Sequence, residues 1–174
     1  MITYRKLIIE DLEKIVDIDR SEPVDDSYIL ENEELKISEN KKEVPNWDDE
    51  KRNEITKRIE NALTEGGIAY GAYDEDKLVG LASLSKKVIS GDRVQLLTFH
   101  IDRIHRGMGI GGKLFDLIVS EAKTFNVRGV YISASSKKNS VDFYLHKGCK
   151  VTKNIDQELL LEEPMDIHME YLFS

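Results

Sequence analysis

The sequence is poor in the residues that form disulfides and metal sites, because it has one cysteine, Cys149, and four histidines. A lone cysteine excludes an intrachain disulfide and a multi-cysteine zinc site, and the histidines lack the spacing of metal ligands. Long apolar runs are also missing. No stretch reaches the roughly 20 residues of a membrane-spanning helix, and the N-terminus lacks the apolar segment of a signal peptide. We therefore expect no metal, no membrane association and a cytoplasmic location.

Basic residues are too few for a protein that binds nucleic acid through its overall charge. The 174 residues include 25 Lys plus Arg against 33 Asp plus Glu, a net charge of -8. Such a protein has no overall positive field to attract DNA or RNA, so we expect no nucleic-acid partner. The length and the 40% apolar content fit one globular domain spanning residues 1–174.

Hydrophobic periodicity along the chain alternates between strand and helix. The predicted strands cover residues 2–9, 68–73, 78–88, 94–102, 130–134, 149–154 and 159–173. The predicted helices contain the apolar residues Leu12, Ile15 and Val16, then Ile55, Ile59 and Leu63, then Ile110 to Phe125, then Val141 to Lys147. This order predicts an α/β fold with a mixed sheet, mostly antiparallel in its N-terminal half, and with helices on both faces.

A glycine-rich stretch, Arg106-Gly-Met-Gly-Ile-Gly-Gly-Lys113, follows a predicted strand and precedes a predicted helix. Glycines there let successive backbone N–H groups point at one anion, which predicts a phosphate or pyrophosphate ligand. A nucleotide-binding module is a rival interpretation. It is weakened because Leu114 stands where a P-loop has Ser or Thr, and because residues 127–136 lack the acid expected of a dinucleotide site.

The pattern Arg106-x-x-Gly109-x-Gly111, the strand before it, and Phe143-Tyr144 on the later helix resemble the GNAT superfamily of acyl-CoA-dependent N-acyltransferases. The resemblance implies a GNAT-like fold and an enzyme that moves an acetyl group from acetyl-CoA to a primary amine by direct attack in a ternary complex. It implies a small-molecule or peptide amine as acceptor, with a homodimer left open. The alternative is a non-catalytic acyl-CoA-binding or sensor domain, because the strand face that carries Ile101 lacks the Glu or His that the family often has there.

The resemblance also implies where coenzyme A lies: the pyrophosphate on the glycine loop, with added charge from Arg106 and Lys113, and the pantetheine arm along a strand. The implied cofactor-binding residues are Phe99, His100, Ile101, Arg106, Gly107, Met108, Gly109, Ile110, Gly111, Gly112, Lys113, Asn139, Tyr144 and Lys147. Asn139 departs from the family pattern, since Lys137 holds the usual asparagine position, and it is alternatively a helix N-cap.

Three residues are candidates for proton transfer. Tyr144 matches the tyrosine that acts as general acid in the family, and its alternative is a core tyrosine. Glu22 lies where acceptors enter in the family and is a candidate for the base or for amine recognition. His100 has suitable chemistry for a base, but side-chain alternation puts it on the opposite strand face from Ile101.

Residues 21–50 are predicted to be an irregular, acidic excursion on the substrate side. Periodicity fades there, Pro23 and Pro45 interrupt regular structure, and residues 19–50 contain twelve acids against four bases. We expect this negative charge to attract a cationic acceptor. The alternative is a solvated segment whose charge only maintains solubility.

Overall fold

Nine strands and four α-helices are distributed over the 174 residues, all of which the computed structural model describes. The strands are β1 Ile2–Lys6, β2 Glu22–Glu31, β3 Glu34–Val44, β4 Ile68–Asp74, β5 Lys77–Ile89, β6 Arg93–Ile101, β7 Gly129–Ala134, β8 Lys150–Val151 and β9 Ile167–Leu172. The α-helices are α1 Asp49–Thr64, α2 Ile110–Ala122, α3 Lys138–His146 and α4 Gln157–Glu162. Short 3₁₀ helices cover Ile9–Asp17, Arg103–His105 and Lys123–Phe125. No helix is long and apolar enough to cross a membrane.

Seven of the strands form one sheet in the order β1-β4-β5-β6-β7-β9-β8. All neighbours are antiparallel except β6 and β7, which run parallel and pair only where Arg93–Gln95 meets Gly129–Tyr131. Both strands continue beyond this point, to Ile101 and Ala134, paired with β5 and β9 but no longer with each other. The prediction of a mixed sheet with an antiparallel N-terminal half is confirmed, and the divergence of β6 from β7 opens a cleft.

Helices cover both faces of this sheet, as predicted, and each face has its own apolar core. Leu114 of α2 packs in one core with Ala82 of β5, whereas Ile59 of α1 packs in the other with Leu81 and with Ile15. Adjacent strand residues enter different cores because their side chains alternate between the two faces. We call these faces the α2 side and the α1 side.

The prediction of an irregular excursion at residues 21–50 is wrong, because most of this segment is a regular hairpin. β2 and β3 pair antiparallel in a separate two-stranded sheet. Their two-residue turn, Asn32-Glu33, has positive φ at both residues (51° and 66°), as hairpin turns of this length require. The alternation was hidden because most of the hairpin is solvent-exposed, including the apolar Ile29 and Ile37.

The hairpin is attached to the loop after β7 and to α3. The backbone N–H of Tyr28 donates to the carbonyl of Ser136 at 2.7 Å, and the Tyr28 hydroxyl donates to Asp142 at 2.7 Å. These contacts hold the second half of β2 against the segment that leads from β7 into α3.

Two smaller expectations also need correction. The predicted strand at 159–173 is α4 followed by β9, because the Asp156 carboxylate caps a short helix by accepting from the N–H groups of Glu158 and Leu159. The apolar Leu161 of this helix is 83% exposed, so it does not pack in a core as the predicted strand required. The first predicted helix is a 3₁₀ helix that leaves Val16 exposed.

Candidate active site

The cleft between β6 and β7 has a volume of about 750 Å³. Its walls come from β6, the glycine loop, the end of β7, the start of α3, the start of β2 and the segment before β9. Along its β6 wall, residues after Gln95 have no pairing with β7. Backbone groups on that edge are therefore available to a ligand, as the sequence-based expectation for Phe99 to Ile101 requires.

The glycine loop forms one end of the cleft at the N-terminus of α2. Gly107 and Gly109 have φ of +77° and +80°, which glycine adopts without strain, and Gly109 is the N-cap residue of α2. A Cβ built on Gly107, Gly109 or Gly112 would meet no atom within 4 Å. Bare backbone therefore faces open space at a helix N-terminus, which fits a pyrophosphate group.

Five loop residues line the cleft, whereas Met108 and Lys113 do not; the five are Gly107, Gly109, Ile110, Gly111 and Gly112. Lys147 also lies outside the lining, because its ammonium group pairs with Asp116 at 2.6 Å. The positions of Lys113 and Lys147 therefore do not support a contact with the cofactor, whereas a contact from the backbone N–H of Met108, within the loop, stays a prediction.

Arg106 lines the cleft, but its side chain is engaged within the protein. Its guanidinium donates to the carbonyls of Ile101 and Arg20 at 3.1 Å and 3.0 Å, and to the Glu22 carboxylate at 3.1 Å. This corrects the expectation that Arg106 adds free charge to the pyrophosphate. Instead, Arg106 ties the glycine loop to the start of β2.

Glu22 is the centre of a buried polar cluster and is only 6% exposed. Its carboxylate accepts hydrogen bonds from Arg106 at 3.1 Å, from Asn139 at 2.9 Å and from Lys137. Burial raises the pKa of Glu22, but the bonds from Lys137 and Asn139 and the nearby cations more than offset it, so the pKa lies below its ordinary value. A carboxylate held this way is a poor proton acceptor, which argues against Glu22 as the base.

Asn139 belongs to this cluster and is not the N-cap of α3. Lys137 is the N-cap residue, without a capping side-chain bond, and the Asn139 amide is directed at Glu22. Both Lys137 and Asn139 line the cleft. The N-cap alternative for Asn139 is therefore wrong, while a contact between Asn139 and a bound cofactor stays a prediction.

Tyr144 combines core packing with a position on the cleft. Its ring lies 6.0 Å from the ring of Phe99 and 6.2 Å from that of Phe115, and the residue lines the cleft. Burial, with smaller contributions from Cys149 and Asp166, raises the pKa of the Tyr144 hydroxyl above its ordinary range. The hydroxyl is therefore protonated at neutral pH and available as a donor.

His100 lies on the α1 side of β6, opposite Phe99, as the strand alternation predicts. Its ring makes an edge contact with Trp47, with centroids 4.6 Å apart. Burial, reinforced by the cations Arg20, Lys137 and Arg106, lowers the pKa of His100 to about 3. An imidazole with this pKa binds a proton too weakly to serve as an effective base, which argues against the catalytic role considered for it.

The cleft also contains side chains that the sequence analysis did not select, among them Arg20, Ser133 and Asp166. Asp166 accepts a hydrogen bond from the Ser133 hydroxyl at 2.8 Å, and burial raises its pKa. No local sequence pattern marks Asp166, because it comes from the irregular segment before β9. The sequence did offer a signal for Lys137 as a cleft residue, because it holds the position where the family has asparagine.

The acidic residues of the hairpin do not form the acceptor pocket. Of the twelve acids between residues 19 and 50, only Glu22 lines the cleft, and it is already paired. Six of the others, among them Glu31 and Glu39, are exposed on the hairpin. This corrects the expectation that the segment concentrates negative charge around an acceptor.

Comparisons with known proteins agree with this geometry. The profile of the acetyltransferase (GNAT) family matches residues 28–149. A nourseothricin acetyltransferase structure superposes with a TM-score of 0.74 at 17% identity, covering 98% of each chain. The PaiA N-acetyltransferase from Thermoplasma acidophilum in complex with coenzyme A gives 0.64 at 17% identity, covering 99% of each chain.

A third structure, a GNAT-family acetyltransferase from Staphylococcus aureus Mu50, gives a TM-score of 0.63 at 21% identity, covering 99% of this chain and 98% of that one. A search of curated proteins found no match. The structural likenesses therefore establish the fold, and the profile match carries the family assignment.

Proposed function

Since the chain belongs to the acetyltransferase (GNAT) family, it is an acetyl-CoA-dependent acetyltransferase, and we propose that it acetylates a primary amine by direct attack in a ternary complex. The acceptor class we propose is a small molecule or a peptide. The observation that carries the proposal is the open backbone of the glycine loop, at the end of a cleft made by the divergence of β6 and β7.

The residues present fit coenzyme A at two places. The backbone N–H groups of residues 107–112 would bind the pyrophosphate, and the unpaired β6 edge from Phe99 to Ile101 would hold the pantetheine arm and stabilise the oxyanion. Acetyl-CoA supplies an activated acetyl group, because its thioester bond breaks more easily than the amide bond that replaces it. Asn139 would contact the arm from the start of α3.

Direct attack is favoured over a covalent acetyl-cysteine because the only thiol is unsuitable. Cys149 is buried and does not line the cleft, and burial raises the pKa of its thiol to about 12. A nucleophilic cysteine needs a lowered pKa and access to substrate. The amine itself is therefore the attacking group in the proposed reaction.

We assign Tyr144 to proton donation at the leaving sulfur, because its hydroxyl is protonated and the residue lines the cleft. The base is a separate question, since Glu22 and His100 both bind protons poorly. Asp166 is a candidate, because burial raises the pKa of its carboxylate and it lines the same cleft as Tyr144.

The first experiment is titration calorimetry of the purified protein with acetyl-CoA, with ATP plus magnesium and with NAD. We expect the protein to bind acetyl-CoA but neither ATP nor NAD. Addition of an amine acceptor should then release the free thiol of coenzyme A. Binding without thiol release from any amine would support a non-catalytic acyl-CoA-binding domain instead. Binding of ATP or NAD but not acetyl-CoA would overturn the proposal.

A further inference from the structure

A second set of charged and aromatic side chains lies on the α1 side of β6. We call it the α1-side corner, and it consists of Arg20, Trp47 and His100. The guanidinium carbon of Arg20 lies 5.8 Å from the centroid of the Trp47 ring, and this ring contacts His100. Arg20 and His100 line the cleft, with the buried Trp47 behind them. The corner thus presents a positively charged, aromatic-backed wall to the cleft.

Arg20 is the unpaired cation of this region. Its Nε is buried without a hydrogen-bond partner, and no carboxylate lies within 4 Å of its guanidinium. The neighbouring cations Arg106 and Lys137 both pair with Glu22, and Lys51 pairs with Glu54. A half-buried guanidinium without a counter-ion is costly, and a bound anion would compensate it.

The surrounding charges leave the corner positive. Glu22 is the acid on this side, and three donors already occupy its carboxylate. Arg20, Arg106 and Lys137 all lower the pKa of the nearby His100, and only Glu22 opposes them. A cationic group would therefore be repelled from this wall, whereas an anionic one would be attracted.

Arg20 is not placed to bind the pyrophosphate of coenzyme A. Phe99 packs on the α2 side against Phe115 and Phe143, and a Cβ on Gly111 would lie 3.4 Å from Phe143. The glycine loop therefore opens on the α2 side. Arg20 and His100 lie on the other face of β6, from which an amine can approach without displacing the cofactor.

We infer that Arg20 binds a carboxylate of the acceptor, so that the acceptor is a small amine that also carries a carboxylate, such as an amino acid. The inference rests on the proposed acetyl transfer for the identity of the occupant. A guanidinium presents paired N–H donors that match the two oxygens of a carboxylate, and packing on Trp47 limits its orientations.

The test uses pairs of acceptors in which a carboxylate is replaced by a neutral carboxamide of similar shape: glycine, β-alanine, γ-aminobutyrate and ε-aminocaproate, each against its carboxamide at equal concentrations of the neutral amine. We expect kcat/KM for at least one carboxylate to exceed that of its carboxamide by roughly tenfold to a hundredfold. Arg20→Gln should remove this preference, Arg20→Lys should retain part of it, and acetyl-CoA affinity should stay unchanged in both. Arg58→Gln, an exposed α1 arginine, is the matched control.

A second measurement separates this inference from the proposed activity. Trp47 is the only tryptophan, so its fluorescence reports on the α1-side corner without any catalysis. Titration with N-acetyl-β-alanine should change the fluorescence more than titration with its carboxamide, and Arg20→Gln should abolish the difference.

A carboxylate-specific fluorescence response in a protein that transfers no acetyl group would support the anion site while overturning the proposed function. Acetyl transfer that favours the carboxamides, or a carboxylate preference that survives in Arg20→Gln, would overturn the inference and leave the function standing. Loss of acetyl-CoA binding in Arg20→Gln would assign Arg20 to the cofactor and also overturn the inference.

Discussion

The two sides of β6 handle charge by different means. On the α2 side, the glycine loop offers backbone N–H groups that face open space. On the α1 side, the side chains of Glu22, Arg106 and Lys137 form a buried cluster, next to the unpaired Arg20. A backbone site depends on a few consecutive residues, whereas the cluster needs residues far apart in the chain.

Substituting the backbone site should give the largest effect. Gly109→Val places a branched side chain at φ +80° and over the loop amides, so we expect no measurable acetyl-CoA binding by calorimetry. Gly66→Val is the matched control, because Gly66 has φ +88° but lies at the end of α1, outside the cleft. Both variants should lose about 1–2 kcal/mol of stability, yet only Gly109→Val should lose the cofactor. Equal acetyl-CoA affinities of the two variants would contradict a backbone site at the glycine loop.

Removing the central charge of the cluster should mainly affect stability. Glu22→Gln leaves Arg106 and Lys137 facing a neutral amide. We therefore expect the free energy of unfolding at pH 7 to fall by about 3 kcal/mol. Thermal denaturation measures this, with Glu31→Gln on the exposed hairpin as a control that should change stability by no more than about 0.5 kcal/mol.

The stability difference between wild type and Glu22→Gln should depend on pH, because the pKa of Glu22 is lowered in the folded protein. A carboxyl group with a lowered folded pKa contributes stability above its unfolded pKa, ordinarily 4.5, and loses it as the pH falls through the folded value. The stability gap between wild type and Glu22→Gln should therefore shrink below about pH 4. A gap that stayed constant with pH would exclude the proposed charge pairing.

Tyr144 packs in the α2-side core, and its hydroxyl, the proton donor that we propose, makes no hydrogen bond inside the protein. Tyr144→Phe keeps the ring packing against Phe99 and Phe115, so stability and acetyl-CoA affinity should be nearly unchanged. We expect kcat to fall about a hundredfold, the effect typical of losing a proton donor. Steady-state kinetics measure this effect, and an unaltered kcat would show that Tyr144 is not the proton donor.

The smallest effect is expected for the pH response of His100. With its pKa lowered to about 3, this imidazole stays neutral across the working range. The pH profile of kcat/KM should therefore have the same midpoints in wild type and in His100→Gln. An inflection near pH 6.5 that disappears in the variant would contradict the low pKa and restore His100 as a base.

Local sequence patterns were sufficient for the α2 side. The glycine loop and the alternation of Phe99 and His100 follow from spacing and periodicity over short segments, and the cleft position of Tyr144 was implied by the resemblance to the family. The same patterns failed for the hairpin, because exposed strands such as β3 have no buried face to impose alternation. They failed also for the side chains of Arg106 and Lys147, whose partners Glu22 and Asp116 are distant in sequence.

The sequence by itself determined the mixed α/β architecture and the glycine loop, because these depend on contiguous residues and on periodic burial, and its motifs carried the resemblance to the family that the profile match shows. Tertiary structure alone decided how charge is distributed in the cleft. It brings Glu22, Arg106 and Lys137 together, keeps the other hairpin acids outside, and leaves Arg20 unpaired. The physical reason is that ion pairing is set by distance in space, which composition and spacing along the chain do not contain.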